Sequence, residues 1–223
     1  MNGSKSETDE AMRVVLVHGL GRTPLSMVRL ARSLRKAGHA TELVGYIAAL
    51  EPFERIRMRV RARLLAGAAA GTYAAVGHSL GGVLLRAALA DFPAGAELPR
   101  LLVTLGTPTR PPRLARLLRN AWLYRRLTGE CGQLLANAEF LASLHVPSVP
   151  STAIAGTRGW PHYVGPFGSA PNDGVVALDE TTTHVSVEHL RVSAFHTFLM
   201  NSHEVQRHIR ERLDALVRRP LLG

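Results

Sequence analysis

Short apolar runs of strand length alternate with helix-length stretches along nearly the whole chain, and that alternation admits few folds. Residues 13–17 (RVVLV) read as a strand, followed by Gly19-Leu20-Gly21 and a helical pattern over 24–37 that Gly38 ends. Further strands are expected over 41–46, 73–76, 101–105, 152–155 and 190–193, with helices over 51–65, 80–92 and 202–217 and a mixed insert over 108–150. A strand, a crossover helix and a second strand build a mostly parallel sheet covered by helices on both faces. The fold class expected is therefore α/β, with ligands binding beyond the carboxyl ends of the strands.

One stretch resists this reading. From Arg55 to Arg63 arginine alternates with other residues, a period of two that by itself describes a strand with one basic face. Ile56, Val60 and Leu64 also recur at helical spacing, and a parallel crossover needs a helix there, so helix is expected. The five arginines would then form either an anion-binding patch or, more commonly, a solvated helix face.

The 223 residues suit one domain, expected over 13–223 behind a polar, disordered tail over 1–12. At 46% hydrophobic residues there is enough to bury a sizeable core. The first ten residues lack the apolar centre of a secretory signal, and no run approaches a membrane span, so a cytoplasmic location is expected. Cys131 is the only cysteine, which excludes an internal disulfide. Against 17 Asp and Glu stand 27 Lys and Arg, a formal charge of +10 that fits an anionic partner or a soluble surface; nucleic acid is not the partner expected.

Chemistry enters at Gly77-His78-Ser79-Leu80-Gly81, a G-x-S-x-G between the third strand and third helix. Glycine two residues to either side lets the chain turn too tightly for side chains at those positions, holding the serine hydroxyl up for attack. Such a hydroxyl needs an imidazole to take its proton, and the imidazole needs a carboxylate to fix its tautomer. On this kind of sheet the order is Ser, then acid, then His, each on a loop after a later strand. Asp173, in Asn-Asp-Gly after the penultimate strand, is the acid expected, with Asp179, Glu180 and Glu188 as alternatives. His196, just beyond the last strand, is the base expected, with His184, His189 and His203 as alternatives. Two backbone N–H groups must also meet the oxyanion. Leu80, after the nucleophile, offers one, and Leu20, in the His18-Gly19-Leu20-Gly21 loop, the other.

The pieces VVLVHGLGRT, VGHSLGG, LVTLGTP, NDGVV and FHTFL occur in this order, and through them the chain resembles serine hydrolases of the α/β-hydrolase superfamily. It looks most like small bacterial lipases and esterases and lipase-like inositol deacylases. The resemblance implies Ser79 as nucleophile, Asp173 as orienting acid and His196 as base, with Leu20 and Leu80 as oxyanion hole and Gly77 and Gly81 framing the nucleophile turn. It implies no metal, no organic cofactor, and a small ester or lipid substrate; the sheet expected here departs from the full superfamily in lacking its first two strands, which leaves about six. A thioesterase or acyltransferase would use the same residues, and a non-catalytic lipid-binding module could keep the fold alone.

The 108–150 insert is the one segment long enough to act as a lid. Leu114, Leu117, Leu118, Ala121 and Trp122 fall on one stripe of a helix expected over 111–127, flanked by Arg113, Arg116 and Arg119. Such a helix could lie on an anionic membrane, cover an acyl groove, or pack on the sheet edge.

Overall fold

The computed structural model describes residues 11–144, 148–162, 164–181 and 188–218. Strand β1 (Arg13–Val17) leads through a 3-10 turn (Pro24–Met27) into α1 (Val28–Lys36), then β2 (Ala40–Val44), α2 (Phe53–Ala69), β3 (Tyr73–His78), α3 (Leu80–Ala90) and β4 (Leu101–Leu105). The insert carries α4 (Arg113–Leu118), α5 (Trp122–Leu135) and α6 (Ala138–Ser143). After it come β5 (Ser151–Gly156), the single turn α7 (Leu178–Thr181), β6 (Glu188–Val192), a second 3-10 turn (His196–Asn201) and α8 (His203–Val217).

The six strands form one sheet in the order β2-β1-β3-β4-β5-β6, every neighbouring pair parallel. The chain starts beside the centre of the sheet, steps out to β2, crosses back over β1 to β3, and then runs outward to β6. This reversal puts the loops after β1 and β3 side by side, the switch point at which such sheets bind ligands. Burial follows position: every residue of β3 is buried, whereas the edge strands β2 and β6 are largely exposed or half-buried. One apolar cluster fills the face under α2 and α3 and reaches into the insert; the other fills the face under α1 and α8.

The arginine-rich stretch is helical. Phe53, Ile56, Val60, Leu64 and Gly67 form its buried stripe, because apolar residues three or four apart share one helix face. Its arginines are largely spent in pairs: Arg57 with Glu54 and Asp91, Arg59 with Glu51, and Arg63 with Glu42. They lie on the solvated side of the helix and do not form an open anion patch.

Two expectations change. Met12, placed in a tail over 1–12, is buried in the second cluster, and its carbonyl accepts a hydrogen bond from Ala40 N–H. Residues 1–10 lie outside the described residues. The helix expected over 111–127 is two helices, α4 and α5, broken at 119–121 with Ala121 extended. Asn120 is a weak helix former that competes for backbone hydrogen bonds, and the stripe divides at the break, Leu114 and Leu118 half-buried on α4 and Leu117 and Trp122 exposed. Leu117 is 67% and Trp122 77% exposed, so the stripe does not lie on the sheet edge.

Candidate active site

Ser79 follows β3 directly and has φ 52° and ψ −119°, the one non-glycine residue at positive φ among those described. That backbone costs of order 1–3 kcal/mol and persists only where its surroundings enforce it. Here the enforcement is steric. A Cβ on Gly77 would come within 2.5 Å of Gly82, and one on Gly81 within 2.2 Å of the Val17 carbonyl oxygen. Gly82 is as crowded, its added Cβ 2.0 Å from Thr107 Oγ1. The turn therefore needs glycine at both framing positions for space, and a third that the bare pattern does not specify. Ser79 N–H donates to Leu105 O at 2.8 Å, joining the turn to the end of β4.

Asp173 sits after β5 in a turn of its own making. Its Oδ1 accepts Val175 N–H at 3.0 Å and Val176 N–H at 2.8 Å, an Asx-type turn that Gly174 completes at φ 99°. Its Oδ2 is left for His196 Nδ1, 2.7 Å away. The turn role and the carboxylate–imidazole contact thus use different oxygens of one side chain. His196 N–H also donates to Asp173 O at 2.8 Å, so backbone and side chain both tie the loop after β6 to the loop after β5. Both residues are buried. Room for them comes from strand-end glycines: a Cβ on Gly106 would lie 2.9 Å from His196 Nδ1, and one on Gly156 2.7 Å from Asp173 Cβ.

The alternatives are occupied elsewhere. Asp179 and Glu180 pair with Arg113, and burial chiefly raises the Glu180 carboxyl above its ordinary range. Glu188 accepts from Thr152 Oγ1 and faces Arg212 of α8. His189 lies exposed on β6 and His203 exposed at the start of α8, whereas His184 lies outside the described residues.

The loop after β1 presses against the Ser79 turn. A Cβ on Gly19 would be 3.2 Å from Ser79 Cβ and 2.7 Å from His78 Nδ1. His18 holds this loop: its ring stacks on Tyr46 at 4.1 Å, and the Tyr46 hydroxyl donates to His18 O at 2.6 Å. Burial lowers the His18 pKa, keeping the ring neutral against Tyr46. Leu20 packs half-buried on the first apolar cluster, and Leu80 opens α3, ahead of Gly82 and Val83, whose N–H groups bond Ser79 O. Leu80 therefore follows Ser79 directly, and Leu20 follows Gly19 on the loop that packs against it. Among the described residues, no three His, Cys, Asp or Glu side chains are grouped to hold a metal ion.

The insert frames the site. Arg86 of α3 donates to Pro108 O and Leu144 O, gripping both ends of it. Arg113 Nη2 reaches Asp179 at 2.7 Å, and Arg113 N–H reaches Glu180 at 2.7 Å, fixing the start of α4 to α7. Gly129 breaks α5 at φ 57° and lies against Ala48 O, while Glu130 accepts Phe53 N–H at the start of α2. Among the described residues, the exposed large apolar side chains lie almost all on segments leaving carboxyl ends of strands. They are Leu25 after β1, Ile47 and Leu50 after β2, Leu117, Trp122, Leu123 and Leu127 in the insert, Trp160 and Val164 after β5, and Phe195 and Phe198 after β6. Met58 on α2 is the exception.

No protein-family model and no curated protein matches the sequence. Solved structures do. A Bacillus licheniformis lipase in its mature form superposes with a TM-score of 0.72 at 17% identity, covering 96% of each chain. A thioesterase of the prodiginine biosynthetic pathway in Streptomyces coelicolor gives 0.56 at 17%, over 92% of this chain and 86% of its own. An extracellular alpha/beta-hydrolase from a Paenibacillus species gives 0.59 at 16%, over 91% and 97%. The fold is that of the α/β-hydrolase superfamily. A closeness to inositol deacylases is not among what these three show.

Proposed function

We propose that this α/β-hydrolase-fold protein is a serine hydrolase that cleaves carboxylic esters through an acyl-enzyme intermediate, with Ser79 as nucleophile, His196 as base and Asp173 as its orienting acid. The observation that carries this reading is the buried His196 Nδ1 to Asp173 Oδ2 contact of 2.7 Å on the loops after β5 and β6, at the same end of the sheet as a serine held at positive φ after β3. Asp173 accepts a hydrogen bond from Nδ1–H, which keeps that proton on Nδ1 and leaves Nε2 as the acceptor for the Ser79 hydroxyl proton. Ser79 Oγ then bonds to the carbonyl carbon. The oxyanion lies against Leu20 N–H and Leu80 N–H, and His196 passes its proton to the departing alkoxide. Water, deprotonated by the same imidazole, releases the acid and restores Ser79. Neither a metal nor an organic cofactor is needed.

A fluorophosphonate probe is expected to label Ser79, and p-nitrophenyl esters of graded chain length are expected to be hydrolysed. Acyl thioesters belong in the same series, since a thioesterase stands among the similar folds. Labelling elsewhere, or no hydrolysis of any acyl substrate, sinks the reading. A module that only bound lipid would have no use for the backbone energy stored at Ser79.

The exposed apolar rim and the insert's arginines support a lipid-side substrate, with contact to an anionic membrane. Arg113 is engaged by Asp179 and Glu180 and drops out of the basic set, which leaves the exposed Arg116, Arg119, Arg125 and Arg126 around Leu117, Trp122 and Leu123. At ~1 kcal/mol per basic residue, four of them contribute about 4 kcal/mol at low salt. Sedimentation with anionic vesicles is expected to fall about a thousandfold in affinity when these four are changed to glutamine, and to weaken as salt rises. Equal binding to anionic and neutral vesicles, or none to either, overturns the membrane contact. Among the described residues no helix is long and apolar enough to cross a membrane.

A further inference from the structure

The residue before the nucleophile has no part in the reaction as proposed, yet it lies against both the base and the loop after β1. His78 ends β3, is buried, and lies between the loop after β1 and the loop after β6. Its Nε2 is 3.0 Å from His196 O, and its ring lies 4.8 Å from the His196 ring, centroid to centroid. A carbonyl oxygen can only accept, so His78 carries its proton on Nε2. Its Nδ1 is buried without a hydrogen-bond partner and packs on Gly19, where a Cβ would lie 2.7 Å away.

The polar groups of His196 can be accounted for one by one. Its N–H goes to Asp173 O, its ring Nδ1 to Asp173 Oδ2, and its C=O accepts from His78 Nε2. The ring Nε2 is the group left over, and it is the one the base needs free. We propose that His78 is a positioning residue, its Nε2–H fixing the His196 backbone so that the catalytic ring has one orientation toward Ser79.

His196 opens the 3-10 turn, and the bond from His78 Nε2 adds an anchor to β3 on its carbonyl side, opposite the Asp173 anchor on its N–H side. Near-attack geometry tolerates little freedom, since a displacement of about 1 Å costs on the order of a hundredfold. The neutral ring suffices for this, because its one proton is on Nε2. Burial, first, and then the neighbouring His196, Arg22 and His18 all hold its pKa well below the ordinary imidazole value. The same ring packs on Gly19, so the spacing between the loop after β1 and the base is set by one rigid group.

The inference rests on the serine-hydrolase reading, and Ser79→Ala separates the two: if that variant keeps activity, the reading itself fails. With Ser79 shown essential, His78→Leu is expected to lower kcat by about ten- to a hundredfold with KM little changed and thermal unfolding still cooperative. His78→Gln, whose amide nitrogen stands where Nε2 did, is expected to recover most of that loss. Should the leucine variant fail to fold, His78→Asn against His78→Gln decides, because the shorter amide cannot reach His196 O while both keep a polar group at the site. Glutamine well above asparagine in kcat supports the assignment. Equal kcat for glutamine and asparagine, or a folded leucine variant at wild-type kcat, overturns it.

Discussion

Ser79→Ala is expected to reduce ester hydrolysis by on the order of a millionfold in kcat, with circular dichroism and thermal unfolding essentially unchanged. The expected size follows from how such a site works. Base and acid act only on a proton the nucleophile supplies, so losing the hydroxyl idles His196 and Asp173 together. What survives is the contribution of the oxyanion donors and of substrate binding, roughly 10³ to 10⁴ over water. The fold should not notice, because the turn is enforced by the crowding of Gly77, Gly81 and Gly82 and not by the serine side chain. Activity near that of the wild type in a purified Ser79→Ala sample would leave Ser79 without the role proposed.

His196→Ala should be nearly as damaging, whereas Asp173→Asn is expected to cost about 10⁴ in kcat. The hydrogen-bond pattern around Asp173 explains the milder figure. An asparagine carbonyl can still accept from Val175 and Val176 N–H, so the turn survives. Its NH₂ then faces His196 Nδ1 in place of a carboxylate oxygen. A donor at that position makes Nδ1 the acceptor and moves the ring proton to Nε2, where it confronts the Ser79 hydroxyl instead of receiving its proton. Steady-state rates on a p-nitrophenyl ester decide this. An asparagine variant at wild-type rate would remove Asp173 from the site, as would a greater loss on changing Asp179 or Glu188.

Much of this was readable in advance because the decisive signals are local. The G-x-S-x-G pentapeptide states a strand, a tight turn and a helix within a few residues, and β3, Ser79 and α3 follow it closely. Asn172-Asp173-Gly174 is likewise a turn written in sequence, and the structure shows why the aspartate can both make that turn and reach His196. The basic stretch over 55–63 was decided by Ile56, Val60 and Leu64, since burial follows apolar spacing and not the rhythm of the charges. What did not show was long-range. His78 reads as an arbitrary middle residue of the motif until β6 brings the His196 carbonyl beside it, 118 positions along the chain. Nothing local marks Arg113 as the partner of Asp179 and Glu180, and an amphipathic stripe cannot say whether anything will cover it. The single helix expected over 111–127 is that last case: the pattern runs through, but only its α4 part meets the core and its α5 start does not.

The position of the last strand bears on how such an enzyme would lose activity. Ser79 stands at the end of β3, paired on both sides and buried throughout, while His196 follows β6, which among the described residues pairs with β5 alone. Edge elements open at lower free energy than central ones. A brief detachment of β6 and the turn after it would carry the imidazole away from a nucleophile still firmly seated, and re-docking would bring it back. The protein would then pass through folded but silent intervals, so the lifetime of its catalytic competence is set by the fraying of one strand and not by the stability of the sheet as a whole.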